Sequence, residues 1–248
     1  MACKLRKVVV LVGCLTAVVG ATVIGIYLAL QHVPHFYDQA LDQPAVQQQQ
    51  GNDALIKNAN ALASSARRQG EWSAIFMADE INGWLAVDLA QSFPDLLPAE
   101  ISQPRIRLSP GCATIACRYS ESGVSTIISL NVELYVVEPN VLALRIHNIR
   151  AGAIPIPLSQ VLDGVTEAAR SMNLRLRWAQ AKGDPVALVT LPSTIGHDKV
   201  AYRLEKVDLR QDAIYLAGQT EKLGTEPKPP APLQVTGSQD PTHLKTQR

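Results

Sequence analysis

The feature that most constrains the fold is a near-regular alternation of side chains in residues 124–136. Successive side chains of a β-strand point to opposite faces. The alternation therefore predicts a strand with one apolar and one solvated face, typical of an antiparallel sheet covered on one side. The apolar positions are Val124, Thr126, Ile128, Leu130, Val132, Leu134 and Val136. The positions between them are Ser125, Ser129, Asn131, Glu133 and Tyr135, with Ile127 as the exception. A strand of about 13 residues is about 43 Å long, so it must twist and coil.

A turn, a return strand and a helix follow directly. Pro139 and Asn140 are turn-forming residues, and apolar side chains alternate again over residues 142–146. Two prolines in residues 152–157 predict a sheet edge or the exit from a strand. An apolar stripe at helical spacing predicts a helix over residues 158–172 that lies on the apolar face of the hairpin. This helix is about 22 Å long and covers half of that face, so a second helix, a second sheet or a bound apolar molecule must cover the rest.

Residues 8–30 form an uncharged apolar run long enough to cross a hydrocarbon core of about 30 Å. Three basic residues precede the run, and no Lys or Arg follows it until Lys57. This asymmetry predicts a cytoplasmic N-terminus at residues 1–7, a single transmembrane helix in the cell inner (cytoplasmic) membrane, and an extracytoplasmic domain. Two alternatives stay open, a cleaved signal peptide and a lipoprotein box ending at Cys14, although both have shorter apolar runs than this one.

The rest of the chain is long enough for one further domain. Residues 31–51 include a Gln tract and are predicted to be a stalk, either helical or extended. Residues 52–223 are the predicted domain, and the Pro-rich residues 224–248 are predicted to be a disordered tail. The net charge is +1 and the largest basic run is the one at the N-terminus, which excludes nucleic acid as an expected partner.

Shorter patterns predict the other elements of the domain. Helices are expected at residues 53–68 and 79–89, and a loop at residues 93–104. The core side of the second helix consists of Ile81, Trp84, Leu85 and Leu89. Strands are expected at residues 72–77, 105–108, 113–119, 174–178, 186–191, 200–209 and 213–217, with a bulge near Glu205 and Lys206. The predicted fold class is α+β: an N-terminal transmembrane helix followed by one domain with a long, curved antiparallel sheet packed on amphipathic helices.

Few residue patterns point to reactive chemistry. Cys112 and Cys117 lie five residues apart on one predicted strand, about 16 Å along it, which is too far for a disulfide. His32 and His35 are separated by a proline and have no third ligand nearby, so no metal site is predicted. The sequence contains no nucleophile elbow, phosphate-binding glycine loop or zinc-binding helix motif. We therefore expect a non-enzymatic protein without a cofactor.

Two polar residues receive structural interpretations. His147 falls on the polar side of the return strand and is expected to be solvated. Asn82, beside a core aromatic residue, is expected to cap or satisfy a buried backbone group, and the alternative is contact with a ligand.

Two segments and the long alternating hairpin resemble a known family. Glu80, Ile81 and Asn82 resemble the acid–aliphatic–Asn helix start of YpmS-like proteins, which are small bacterial envelope proteins of unknown function with one N-terminal membrane anchor. Residues 152–157, leading into a Leu/Val helix, resemble that family's Gly-x-aliphatic-Pro-aliphatic-Pro segment. The resemblance covers residues 70–175 and the anchor. It implies a single-pass envelope protein, and it supplies no catalytic residues that could be assigned to this chain. A looser likeness in architecture is to tubular lipid-binding domains, where a long curved sheet wraps a helix around an apolar channel.

The uncovered part of the apolar strand face leads to the functional hypotheses. The first is a membrane-tethered domain that binds a lipid or another apolar molecule on the sheet–helix face. The expected contacts are Ile128, Leu130, Val132, Leu134 and Trp84. The alternative is an envelope scaffold whose uncovered face or strand edge binds another protein. An enzyme of an unrecognised type is the third hypothesis, and no motif supports it.

Overall fold

The computed structural model describes residues 18–93, 96–157, 159–171, 175–181, 183–194 and 200–222. The helices are α1 (Val18–Leu30), α2 (His35–Leu41), α3 (Ala45–Ala66), α4 (Ala78–Ser92) and α5 (Ser159–Ser171). The strands are β1 (Gly70–Met77), β2 (Ile101–Ser109), β3 (Cys112–Glu121), β4 (Val124–Glu138), β5 (Val141–Ala151), β6 (Ile154–Pro155), β7 (Arg175–Ala181), β8 (Asp184–Thr190), β9 (Val200–Arg210) and β10 (Ala213–Lys222). The predicted cytoplasmic residues 1–7, the first part of the predicted transmembrane run and the predicted tail 224–248 lie outside the described residues.

A large antiparallel sheet forms the centre of the domain, which confirms the α+β fold class. Its strand order is β2-β3-β4-β5-β8-β7, and the two-residue β6 pairs with β5. The predicted long strand is confirmed as β4, with 15 residues that span about 50 Å. The apolar β8 is an interior strand of this sheet, as the unbroken apolar run predicts. Cys112 and Cys117 both lie on β3 and both thiols are free, as expected from their spacing.

A smaller sheet of order β1-β10-β9 packs on the apolar face of the large one. Leu209 of β9, Ala78 of α4 and the β2–β3 residues Leu108 and Ala113 form one buried cluster, and Leu134 of β4 packs against it. The smaller sheet therefore covers part of the apolar face of β4, which is one of the three possibilities that the sequence predicted. The register between β9 and β10 shifts at Glu205, which confirms the predicted bulge.

The segment predicted to be a separate stalk is instead part of the folded domain. α2 lies across the large sheet, where Tyr37 is completely buried and contacts Ala116 and Ile127. This contact explains why Ile127 interrupts the polar side of the alternation: its face of β4 is covered at this end by α2. The predicted helix that was to begin near residue 53 begins at Ala45, so the Gln tract lies within α3.

Three other predictions need correction. The predicted loop at residues 93–104 ends earlier, because β2 begins at Ile101 and continues past a bulge between Ser102 and Arg105. The last strand, β10, extends to Lys222. α5 was predicted to lie on the apolar face of the hairpin; it contacts β7, at the edge of the same sheet and on the same face, where the Trp178 indole donates to the Thr166 hydroxyl (3.1 Å).

The predicted solvation of His147 is also wrong, because its side chain is only 20% exposed. Its Nδ1 lies 3.0 Å from Asp184 and its Nε2 lies 3.3 Å from Glu133. Arg145 lies in the same cluster, with a guanidinium nitrogen 2.6 Å from Asp184. Side chains of the neighbouring strands β4 and β8 therefore shield this polar position of β5 from solvent.

The end of α1 docks directly onto the large sheet. Two carbonyls of its last turn accept hydrogen bonds, Ala29 from the Ala153 amide (2.8 Å) and Leu30 from the Thr126 hydroxyl (2.7 Å). Gly152 makes this approach feasible, since it has a φ of +59° and a Cβ there would overlap the Ala29 carbonyl. Among the described residues, no single helix is long and apolar enough to span a membrane. α1 and α2 pass that test only as a pair bent by 49°.

Candidate functional site

Two grooves lie on either side of α2, on the face of the large sheet that the sequence analysis predicted to be solvated. By register and alternation this face carries Arg105 and Arg107 of β2, Thr114 and Arg118 of β3, and Ser129 and Asn131 of β4. α2 covers the middle of the face with Tyr37 and Ala40, both of which are buried. We call the groove between α2, α4 and β2 the helix–strand groove, and the one between α2, β4 and β5 the anchor groove.

The helix–strand groove has a volume of about 660 Å³, within the range of small-molecule sites. Its apolar wall comes from the end of α2, from α4 and from the segment that follows α4. That wall includes Leu41, Leu85, Ala86, Leu89, Phe93 and Leu97. Its polar lining is Gln48, Ser102, Gln103, Arg105 and Arg118. The groove therefore combines an apolar wall with a cationic group of side chains, an arrangement that suits an amphiphilic anion.

Arg105 is the most unusual residue of the groove, because it is charged and yet only 5% exposed. Its guanidinium donates to two neutral backbone carbonyls, that of Pro104 at 2.8 Å and that of Ala40 at 3.4 Å. Burial lowers the pKa of this guanidinium below its ordinary value. Buried charges are usually paired with an opposite charge, since removing an ion from water costs several kcal/mol. In the described part of the chain no carboxylate lies within 4 Å of Arg105.

Arg118 and Tyr37 stand beside this buried cation. The Arg118 Nε donates to the Gln103 side-chain oxygen at 3.0 Å, and the Tyr37 hydroxyl donates to the Gln103 backbone carbonyl at 3.0 Å. Burial raises the pKa of the Tyr37 phenol, and the two nearby guanidinium groups oppose that rise. The phenol is therefore a neutral hydrogen-bonding group at physiological pH. It carries no negative charge, and among the described residues neither arginine has a carboxylate within 4 Å.

The half-buried thiol of Cys117 lies on the opposite face of β3, next to Arg118 in the sequence. Burial raises the pKa of Cys117 to about 11, so the group is a protonated thiol at neutral pH. A protonated thiol is a poor nucleophile. Cys117 therefore contributes packing and not covalent chemistry, in agreement with the interpretation of the sequence.

The helix–strand groove begins at the level of the sheet where α1 docks. Thr126, which binds the end of α1, pairs with Tyr119 on β3, and Tyr119 pairs with Ile101 on β2. Ile101 lines the groove. Ile101 therefore lies two strand spacings, or about 10 Å, across the sheet from Thr126.

The five residues that the sequence singled out as ligand contacts do not line the helix–strand groove. Val132 is 5% exposed and Leu134 packs on the core beneath the second sheet, on the face opposite the groove. Ile128 and Leu130 on the same face are half-buried. Trp84 on α4 lies closest, since its ring centroid is 6.0 Å from that of Phe93, which lines the groove.

Sequence reasoning missed the arginines and α2. Arg105 belonged to a predicted strand, but nothing in the sequence shows that α2 buries it. The one available signal was Ile127, an apolar residue on a predicted wet face. It indicated that part of this face is covered.

Asn82 is confirmed as a structural residue. Its side chain donates to the Ile106 carbonyl and accepts from the Ile106 amide, both at 2.8 Å. Among the described residues no group of three or more His, Cys, Asp or Glu side chains is arranged to hold a metal ion.

No protein-family model matches the chain, and searches of the curated proteins and of the solved structures give no match either. The likeness to YpmS-like proteins therefore stays a prediction from the residues that carry it.

Proposed function

We propose that the protein is a membrane-anchored, non-enzymatic domain that binds an anionic lipid in the helix–strand groove. The observation that carries the proposal is Arg105, a buried guanidinium at the groove without a carboxylate partner in the described chain. A bound carboxylate or phosphate would supply the missing negative charge through charge-assisted hydrogen bonds.

The apolar wall of the groove supports an acyl chain as the other part of the ligand. Leu85, Ala86 and Leu89 follow one side of α4, and Phe93 and Leu97 extend the same wall beyond it. Each methylene group of a chain buried there contributes about 0.8 kcal/mol. A fatty acid or the acyl chain of an anionic phospholipid has this combination of an apolar tail and a charged head.

The position of the groove supports a source in the bilayer. The apolar run at residues 8–30 is the proposed transmembrane anchor. Its last carbonyl binds Thr126, which lies two strand spacings, or about 10 Å, from the groove residue Ile101. A lipid would therefore have a short path from the outer surface of the membrane into the groove. The likeness of architecture to tubular lipid-binding domains agrees with this proposal but does not carry it.

Tryptophan quenching tests the proposal on the full chain in phosphatidylcholine nanodiscs. The probe is a long-chain fatty acid that carries bromine atoms along its chain. All three tryptophans belong to the domain, at positions 72, 84 and 178, so probe dissolved in the bilayer core does not reach them. Trp84 lies against Phe93 at the groove wall and is expected to be quenched. Replacing Trp84 with Phe should remove most of the quenching.

Matched variants assign the binding to the groove. Ala86→Phe fills the groove from α4 and should abolish quenching, whereas Ala63→Phe places the same ring on an exposed position of α3 and should retain it. The methyl ester of the same fatty acid should bind roughly tenfold more weakly, as expected for the loss of one charge-assisted interaction. Equal quenching of Ala86→Phe and Ala63→Phe would contradict the assignment to the helix–strand groove. Equal binding of the acid and its methyl ester would contradict the role of Arg105.

A further inference from the structure

The anchor groove is a second cationic cavity, with a volume of about 410 Å³. Arg107, Arg150, His32 and His35 are among its lining residues, and no Asp or Glu is among those the structure describes there. Hydrogen-bonding side chains of the sheet, including Thr114, Ser129 and Asn131, complete the lining. This composition favours an anion that accepts several hydrogen bonds.

The two arginines of the anchor groove are available to such an anion. Arg107 is held in place, because its guanidinium lies 4.8 Å from the centroid of the Phe36 ring and donates to the Thr114 hydroxyl at 3.4 Å. Arg150 is exposed, and its side chain makes no hydrogen bond or ion pair with any part of the chain that the structure describes. The two residues stand on β2 and β5, three strand spacings or about 14 Å apart across the sheet and two residues apart along the strands, and their long side chains line one cavity.

The anchor groove also adjoins the last turn of α1. Gly152 lines the groove and is the residue against which the Ala29 and Leu30 carbonyls pack. Because α1 ends on the sheet itself, the groove stands directly beside the outer end of the proposed anchor. A headgroup of the surrounding bilayer is therefore the nearest source of an anion.

We infer that the anchor groove binds the phosphate headgroup of an anionic phospholipid and so fixes the domain against the membrane surface. The inference rests on the proposed membrane anchor but concerns a site separate from the helix–strand groove. Arg107 and Arg150 provide the charge, and the hydroxyl and amide side chains of β3 and β4 donate to the phosphate oxygens.

Native mass spectrometry of the full chain tests this site. The protein is released from nanodiscs that contain equal amounts of phosphatidylglycerol and phosphatidylcholine, and the lipids it retains are counted. The wild type should retain phosphatidylglycerol in preference to phosphatidylcholine. In the Ala86→Phe background, which blocks the helix–strand groove, the double substitution Arg107→Gln, Arg150→Gln should lower that preference roughly tenfold. The control Arg175→Gln, Arg177→Gln removes the same charge from exposed positions on β7 and should keep the preference.

Two further arms separate the possible outcomes. Inorganic phosphate, added at the concentration of the phosphatidylglycerol, should leave the preference unchanged. If it removes the preference, the ligand is a soluble phosphate and the assignment to lipid is overturned. Equal preference in the two double variants overturns the anchor groove as the site. The quenching of the Arg107→Gln, Arg150→Gln variant by the brominated fatty acid reports the helix–strand groove independently, so failure here is distinguishable from failure of the proposed function.

Discussion

The side chain of Asn82 pairs with the backbone of Ile106 through both of its amide atoms. The carbonyl and the amide of Ile106 each make a 2.8 Å hydrogen bond with it, as they would with a neighbouring strand. β2 is an edge strand of the large sheet, so these two groups would otherwise lack a protein partner. Asn82 is 5% exposed and therefore closes the edge of the sheet from within α4.

Replacing Asn82 with Ala should lower the free energy of unfolding by about 2–4 kcal/mol, because two buried backbone groups would lose their partners. Urea unfolding of the full chain in detergent, followed by tryptophan fluorescence, measures the change. Asn60→Ala on the exposed side of α3 is the control and should change stability little. Similar values for the two variants would show that the edge contact contributes nothing.

Asn140 closes the edge of the smaller sheet in a similar way. Its side chain donates to the Tyr202 carbonyl at 2.6 Å and accepts from the Leu204 amide at 2.7 Å, and its φ is +63°. Asn140→Ala should lower the free energy of unfolding by about 3 kcal/mol, because the side-chain hydrogen bonds are lost and the φ is unfavourable for alanine. Asn140→Gly loses only the hydrogen bonds and should be about 1 kcal/mol more stable than the Ala variant. The ranking is read from urea midpoints, and a reversed order would refute this account of the turn.

Arg145 holds a partly buried ion cluster between β4 and β8. Its guanidinium lies 2.6 Å from Asp184 and 3.4 Å from Glu133, with the arginine side chain 15% exposed. Arg145→Ala should destabilise the domain by about 1–2 kcal/mol, because it removes a mostly buried cation from two carboxylates that are themselves 42% and 36% exposed. Arg170→Ala breaks the exposed pair with Glu167 and should change stability by less than about 1 kcal/mol. Thermal unfolding of both variants distinguishes the two cases.

Cys117 should make stability fall in alkaline solution. Burial raises its pKa from 9.0 to about 11 in the folded chain, so the unfolded chain ionises first. The contribution of this thiol to the free energy of unfolding is therefore complete below about pH 9. It is lost between about pH 9 and about pH 11, and the loss is at most about 3 kcal/mol. Unfolding free energies of wild type and Cys117→Ala, measured at about pH 8 and about pH 10.5, should show a smaller decrease in the variant. Parallel decreases would assign the alkaline loss to other groups.

The sequence predicted the strands of the large sheet because their information is local. Alternation marks β4 and β5, an unbroken apolar run marks β8, and a change of parity marks the bulge at Glu205. Each of these signals depends only on neighbouring residues, so it survives without knowledge of the tertiary structure.

The candidate site was not predictable in the same way, because it depends on contacts between distant segments. Tyr37 and Arg105 are 68 positions apart, and α2 contains too few residues for a reliable helical pattern. The burial of Arg105 is a result of where α2 lies, and a charged residue on a strand is ordinarily solvated. The sequence therefore suggested an apolar ligand but placed it on the opposite face of the sheet.

Native mass spectrometry of the full chain, extracted from its own membrane without added lipid, tests the central claim most directly. The account predicts that wild type and Ala63→Phe carry one more bound anionic lipid than Ala86→Phe, which keeps only lipid held outside the helix–strand groove. A wild-type chain without bound lipid, or an equal lipid mass on Ala86→Phe, would contradict it.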